Sequence, residues 1–204
     1  MVILNQIQIV KNNPIMNHFS IKKLLLNLFI PFMILSCVNG QDVQKIDSNQ
    51  FKKFALNDKI TLKSLINVAG DWQTLKEQLG QPTEQRCEER DPILGFEPTC
   101  TFQYSGLVIN YTDVGNGIEL ATAELTNSEA FLSYENIKLR VGTSILKLQD
   151  LFPEAYQKRR SVTNNDVTRH FIQLNIKNSD TYLSFQYSMS TNKVTRIKLL
   201  RIIT

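Results

Sequence analysis

Cys37 is the residue whose chemistry the sequence predicts most directly, because it ends a segment with the shape of an export signal. The basic pair Lys22 and Lys23 is followed by a mostly apolar run, Leu24–Leu35, and by the small residue Ser36. A secretory signal has these parts in this order. The apolar run is also too short to favour a helix that spans a membrane. The sequence therefore predicts export, with a thiol at the end of the signal.

The residues around Cys37 carry a resemblance to a known group of signals. Ile34-Leu35-Ser36-Cys37 resembles the lipobox of bacterial lipoproteins. The resemblance implies that the signal is cut before Cys37 and that this cysteine receives acyl chains, which anchor the protein in a membrane. Two or more acyl chains attach a protein stably to a membrane, since each methylene group buried in the bilayer contributes about 0.8 kcal/mol to the binding energy. Two alternatives stay open: a soluble secreted form with a free cysteine, and an uncleaved anchor.

The expected location is the cell envelope, on the periplasmic face of the outer membrane. Met16 is the expected start, and residues 1–36 are interpreted as an upstream extension and a signal peptide. Residues 37–50 are mostly polar and are predicted to be a tether between the anchor and the fold.

The charge of the chain argues against nucleic acid as a partner. The net charge is +4, but three lysines and no acidic residue precede Cys37, so the net charge beyond that point is +1. A nearly neutral chain lacks the basic footprint that nucleic-acid binding requires.

Cys87 and Cys100 are the two cysteines beyond Cys37. An even pair in an exported chain favours a disulfide. The charged run Glu84–Asp91 flanks Cys87 and is interpreted as a solvated loop tied by that disulfide, because loops run over the surface.

His170 is the single histidine beyond the signal, and it lies in a strand-like pattern. A general base needs a partner within hydrogen-bond reach, and no Gly-x-Ser-x-Gly, His-Glu-x-x-His or phosphate-loop motif occurs. A zinc site would have to recruit both Cys87 and Cys100. The sequence therefore predicts no catalytic residue, no metal site and no cofactor.

The rest of the chain is interpreted as one helix-plus-sheet unit that occurs twice. In the first unit, Asp71 is a helix N-cap and Trp72, Leu75 and Leu79 form an apolar stripe. Its predicted strands are Lys59–Lys63, Thr99–Tyr104, Leu107–Thr112 and Gly117–Leu125.

The second unit repeats this order. Ser144 is the cap, Ile145, Leu148 and Phe152 form the stripe, and Pro153 stops the helix. Its predicted strands are Asn136–Arg140, Thr168–Ile176, Thr181–Tyr187 and Val194–Ile202. The fold class is therefore predicted to be α+β, with tandem units at residues 51–130 and 131–204, each with short helices on one face of an antiparallel sheet.

The first stripe carries a second resemblance. Gly70–Pro82, a short helix that ends in Leu-Gly-Gln-Pro, is similar to the helical element of the β-lactamase-inhibitor-protein-like group, which includes the BamE-type lipoproteins. Val141–Ile145 with Leu151-Phe152-Pro153 is similar to the same element again. The resemblance covers residues 60–202 and implies a concave surface that binds other proteins. No binding residue of that group matches a position here.

These observations predict a non-catalytic protein-binding module with a partner in the envelope. The alternative is a carrier of a small apolar or lipid ligand. A continuous aromatic patch on an open sheet would favour the first, and a closed apolar cavity would favour the second. Most of the strand aromatics are expected in the core, namely Phe102, Tyr104, Tyr111, Phe171, Tyr182, Phe185 and Tyr187.

Overall fold

The computed structural model describes residues 43–68, 70–88, 99–114 and 117–202. The strands are β1 (Lys45–Ile46), β2 (Phe54–Leu56), β3 (Ile60–Thr61), β4 (Glu84–Glu88), β5 (Thr99–Tyr104), β6 (Leu107–Asp113), β7 (Ile118–Leu125), β8 (Leu132–Tyr134), β9 (Ile137–Leu139), β10 (Arg160–Asn164), β11 (Val167–Ile176), β12 (Thr181–Ser188) and β13 (Lys193–Arg201). The helices are α1 (Ser48–Phe51), α2 (Leu62–Asn67), α3 (Trp72–Leu79), α4 (Ile145–Leu151) and α5 (Pro153–Gln157).

Nine strands form one large sheet in the order β1-β11-β12-β13-β7-β6-β5-β4, and β10 also pairs with β11. Strand β1 runs parallel to β11, and the other neighbours are antiparallel, so the sheet is mixed. A smaller sheet has the order β3-β2-β8-β9. The predicted α+β class is confirmed.

The two halves of the chain share these sheets. Strands β7 and β13 pair directly, with Leu125 opposite Ile197 and Ala123 opposite Leu199. Strands β2 and β8 pair in the same way in the small sheet. Asp42–Thr204 forms one compact unit, so the chain does not divide into two bodies near residue 130.

Helix α3 begins and ends as the sequence predicts. The Asp71 carboxylate accepts hydrogen bonds from the Thr74 amide at 3.1 Å and the Thr74 hydroxyl at 2.7 Å. The bond from the Thr74 side chain is the main reason that the pKa of Asp71 lies below its usual value. Gly80 ends the helix with a φ of 92°, which glycine adopts without strain.

Pro153 has a different role from the predicted one. Helix α4 ends at Leu151, but Pro153 is the first residue of α5. Proline is favoured at that position, because its fixed φ suits the first helical turn and its missing N–H has no partner there in any helix.

Three sequence predictions need correction. Lys59–Lys63 is a strand only at Ile60–Thr61, because the Thr61 hydroxyl accepts from the Ser64 amide at 3.0 Å and so caps α2. Glu84–Glu88 is the edge strand β4 rather than a loop. The predicted tether, residues 37–50, is too long, since β1 and α1 belong to the fold and Ile46 is buried. Residues 37–42 lie outside the described residues.

The core lies between one face of the large sheet and a layer made of the helices and the small sheet. On the first half, the Trp72 ring lies 4.8 Å from Phe102 and 4.9 Å from Tyr111. The Tyr111 hydroxyl donates a hydrogen bond of 3.1 Å to the Leu65 carbonyl, and burial raises the pKa of this phenol. The predicted contact between the first apolar stripe and the first strands is therefore present.

Replacing Trp72 with alanine is expected to lower the free energy of unfolding by about 2–4 kcal/mol. This loss is smaller than the loss of about 3–5 kcal/mol that is expected for a fully buried aromatic residue, since the indole is partly exposed. Chemical denaturation measures the change. Gln73→Ala, at an exposed neighbour on the same helix, is the control and is expected within about 0.5 kcal/mol of wild type. A Trp72→Ala effect as small as that of the control would contradict this packing role.

Candidate functional site

The disulfide between Cys87 and Cys100 ties the edge strand β4 to β5. The two residues lie directly opposite each other in the antiparallel ladder, with 4.1 Å between their Cα atoms. All residues of β4 are exposed, so few side-chain contacts hold this strand apart from the bridge. The predicted disulfide is present, and it secures the strand that ends the sheet.

Removing this bridge with Cys87→Ser/Cys100→Ser is expected to lower the free energy of unfolding by about 2–3 kcal/mol. The effect lies at the low end for exported domains, because the bridge spans only 13 positions and joins an edge strand. Thermal or chemical denaturation measures it. Alkylation of the natively isolated protein without reductant should leave Cys87 and Cys100 unmodified, because a disulfide has no free thiol. Alkylation of both cysteines under these conditions would contradict the bridge.

A second cross-strand pair occurs in the hairpin near the other edge of the sheet. The disulfide lies beside Tyr111 of the next strand. In the hairpin β10–β11, Ser161 lies opposite His170, which lies beside Tyr187 of β12. The Ser161 Oγ and the His170 Nδ1 are 2.6 Å apart. The hydrogen-bonded pair of Ser161 and His170 thus occupies, in the β10–β11 hairpin, the position that the disulfide occupies between β4 and β5.

The contact between Ser161 and His170 is not predictable from the sequence, because its only signal is the register of the hairpin. The His170 ring lies 5.6 Å from the Tyr187 ring. Within the described residues, neither Ser161 nor His170 hydrogen-bonds to a carboxylate. Nucleophilic catalysis by serine relies on a base that a third group orients, and this pair has no such group among the described residues.

An open groove runs along this part of the sheet. We call it the hairpin groove. It has a volume of about 380 Å³, and its lining includes Val167, Arg169, His170, Tyr187, Met189 and Thr195. It lies where the β10–β11 hairpin, turned by Asn165 and Asp166 at positive φ, comes next to the ends of β12 and β13. A cavity of this size is within the range that binds ligands.

The face of the large sheet opposite the helices is the second candidate surface, and we call it the open sheet face. Its side chains alternate with the buried ones most regularly along β6 and the second half of β11, and Ser184 of β12 is a buried residue on this face. Asn110 links three strands here: its side chain accepts from the Thr101 hydroxyl at 2.7 Å and donates to the Thr122 hydroxyl at 2.9 Å. This polar ladder holds the side chains of the face in place.

On the open sheet face, charged residues lie where β7 of the first half pairs with β13 of the second half. Glu124 on β7 lies 3.1 Å from Arg196 and 3.5 Å from Lys198, both on β13. The Glu124 side chain is only 17% exposed, so this network is better shielded from solvent than an ordinary surface ion pair.

Most strand aromatics belong to the core and not to the open sheet face. Phe102, Tyr111, Phe185 and Tyr187 are buried, as expected. Phe171 and Tyr182 alternate with buried residues of their strands and are only half-buried. The open sheet face is therefore a mainly polar surface that also holds two half-buried aromatic rings and the half-buried Val108 and Leu200, and it is not a continuous aromatic patch.

The predicted lipidation site, Cys37, lies outside the described residues. Within them, no helix is both long enough and apolar enough to cross a membrane. The same part of the chain contains no cluster of three or more His, Cys, Asp or Glu side chains placed to hold a metal ion.

Comparisons with known proteins find little similarity. No protein-family model and no curated protein matches the chain. One similar solved structure is an extracellular protein containing an SCP domain from Bacillus anthracis str. Ames, with a TM-score of 0.38 and 10% identity, over 70% of this chain and 46% of that one. Another is a cysteine-rich secretory protein from Staphylococcus aureus subsp. aureus Mu50, with a TM-score of 0.37 and 13% identity, over 79% of this chain and 51% of that one.

These comparisons correct the second resemblance. The two solved structures named above are an SCP-domain protein and a cysteine-rich secretory protein rather than members of the β-lactamase-inhibitor-protein-like group, and that assignment is wrong. Its motifs were a capped short helix followed by Gly and Pro, which are stop signals that many unrelated helices share. This chain spans about half the length of both matched proteins.

Proposed function

We propose that this protein is a non-catalytic protein-binding module held at the cell envelope. The observation that carries the proposal is the open sheet face. The helices and the small sheet pack on the opposite side, so a broad and ordered surface is left for a partner. Protein interfaces combine such polar and charged groups with a few aromatic anchors, and Phe171 and Tyr182 lie among polar neighbours here.

The anchor belongs to the same proposal. Acyl chains on Cys37, with the short polar segment that follows it, would hold the fold close to a membrane. A partner in the same membrane or in the adjacent space would then meet the open sheet face at a high effective concentration.

We further propose that the fold arose from two tandem units. Each half has a hairpin, then helices, then a four-stranded meander, namely β2–β3 and β4–β7 in the first half and β8–β9 and β10–β13 in the second. The halves join through equivalent strands, β2 with β8 and β7 with β13. Joined in this way, two small sheets become one face large enough for a protein partner.

The alternative, a carrier of a small apolar ligand, receives less support. Such a ligand needs an enclosed apolar cavity. The hairpin groove is open, and hydroxyl and amide side chains together with Arg169 form much of its lining.

Reversing the charge of Arg196 tests the proposal. Arg196→Glu places a repelling carboxylate beside Glu124 on the open sheet face, and it is expected to reduce recovery of the partner by about tenfold or more. Co-purification of the detergent-solubilised protein from its own cells, with quantitative mass spectrometry, measures the recovery.

Lys63→Glu is the matched control, since it makes the same charge change at an exposed position of α2 on the helical side. It should leave recovery unchanged, and the melting temperatures of both variants show whether each is folded. Equal loss in the two variants, or no loss in Arg196→Glu, would contradict binding through the open sheet face.

A further inference from the structure

We propose that the hairpin groove binds an acidic segment of a partner protein, as an extended peptide with apolar side chains beside its carboxylates. The inference rests on the proposed function, because it names the kind of segment that this binding module would take. It rests on three properties of the groove: its charge, its exposed apolar side chains and its open, polar shape.

The charge of the groove is the first argument. Arg169 lines it, and no Asp or Glu is among its lining residues. Arg159 lies next to Tyr187 of the lining, and Lys193 begins β13 at the same end of the sheet. Asp166, at the tip of the hairpin, is a flanking acidic residue. Cationic side chains thus outnumber acidic ones around the groove, and a negatively charged ligand complements them.

Two exposed apolar side chains are the second argument. Val167 is 54% exposed and Met189 is 57% exposed, and both line the groove. Apolar side chains of this size are more often buried, and burial against a partner removes their surface from water. Methionine also adapts its shape to different partners because it is unbranched and flexible. These two residues can therefore hold apolar side chains of the peptide.

The shape of the groove favours a peptide over a lipid chain. The groove is open to solvent rather than enclosed, so an extended chain can lie along it. Thr168, Gln186, Ser188 and Thr195 supply hydroxyl and amide groups along it. Some of these hydroxyls already pair within the protein, Thr168 with Thr163 and Thr195 with the Gln186 carbonyl, and each keeps acceptor capacity. A peptide backbone has a donor and an acceptor at each residue and can add bonds to these groups, whereas an acyl chain can make none.

Fluorescence anisotropy with the full chain in detergent tests the proposal. The probes are three rhodamine-labelled peptides of about ten residues, in which Leu alternates with Glu, Gln or Lys. The Glu peptide is expected to bind at least about tenfold more tightly than the other two. Arg169→Glu is expected to weaken binding of the Glu peptide by about tenfold or more, and Met189→Ser by about threefold or more.

Arg86→Glu is the matched control, since Arg86 is an exposed arginine on the edge strand at the other end of the sheet. It makes the same charge change as Arg169→Glu and should leave the affinity unchanged. Equal affinity for the three peptides, or equal effects of the two arginine variants, would overturn the proposal.

A sedimentation assay with phosphatidylglycerol vesicles separates the peptide from lipid headgroups. It uses the Cys37→Ser chain, so that no predicted acyl anchor contributes to binding. Vesicle binding that Arg169→Glu abolishes would assign the groove to lipid and overturn the peptide proposal. Failure of peptide binding while Arg196→Glu still reduces partner recovery would end this inference alone. Peptide binding with no effect of Arg196→Glu on partner recovery would end the proposed binding through the open sheet face.

Discussion

Phe152→Ala is expected to lower the free energy of unfolding by about 3–5 kcal/mol, which is the largest stability effect of any substitution proposed for this protein. The Phe152 ring is 2% exposed and lies 5.9 Å from Phe54, 5.2 Å from Tyr134 and 6.3 Å from Phe185. These partners belong to both sheets, so the ring fills the space between them. Alanine would leave a cavity that neither sheet can close without moving. Chemical denaturation measures the loss.

Leu146→Ala is the control for this substitution. Leu146 is on α4, close to Phe152 in the chain, but it is 59% exposed. Its replacement is expected to change stability by no more than about 0.5 kcal/mol. Similar effects of the two variants would contradict the assignment of Phe152 to the contact between the sheets.

Cys37→Ser is expected to abolish attachment of acyl chains. The lipobox resemblance implies that the thiol receives an acyl group, and a hydroxyl at this position removes the attachment point. Cells grown with an alkyne fatty acid should label the wild-type protein and leave the variant unlabelled. The variant should also leave the membrane fraction, because no acyl chain then contributes its burial energy.

The disulfide variant, Cys87→Ser/Cys100→Ser, is the control for labelling, since it removes two thiols and keeps Cys37. It should incorporate the label as the wild type does. Continued labelling of Cys37→Ser would refute the anchor, and labelling that depends on Cys87 or Cys100 would place the acyl chain elsewhere.

The long strands could be predicted from the sequence because their side chains alternate. The prediction for Thr99–Tyr104 has both ends correct, and every end of the last three strands lies within one residue of its predicted position. Buried and half-buried residues alternate along β6 and the second half of β11, and period two is the signal that a one-sided sheet imposes. Helix α3 was predictable for a similar reason, since a cap, a stripe and a stop signal agree there.

The short elements could not be predicted, since they have too few residues to show a period. Strand β1 has two residues, and only its pairing with Asn175 and Ile176 makes it part of the sheet. Strand β4 is exposed throughout and has no apolar alternation, so its charged residues read as a loop. For such segments, a strand distant in the sequence supplies the hydrogen bonds, and the local residues do not indicate this pairing.

The candidate surfaces were predictable only in part. The cysteine pair follows from the compartment and the even count of cysteines. The hairpin groove depends on how the β10–β11 turn and the ends of β12 and β13 meet, which is a property of register and twist. Val167 and Met189 look like ordinary apolar residues in the sequence, and only their exposure in the fold singles them out.

Photo-crosslinking in living cells tests protein binding through the open sheet face most directly. A photoreactive residue at Gln103, an exposed position of β5 on that face, is compared with one at Gln149, an exposed position of α4. The account predicts a defined adduct with an envelope protein from Gln103 and none from Gln149. An adduct from Gln149 alone, or no adduct from either position, would contradict it.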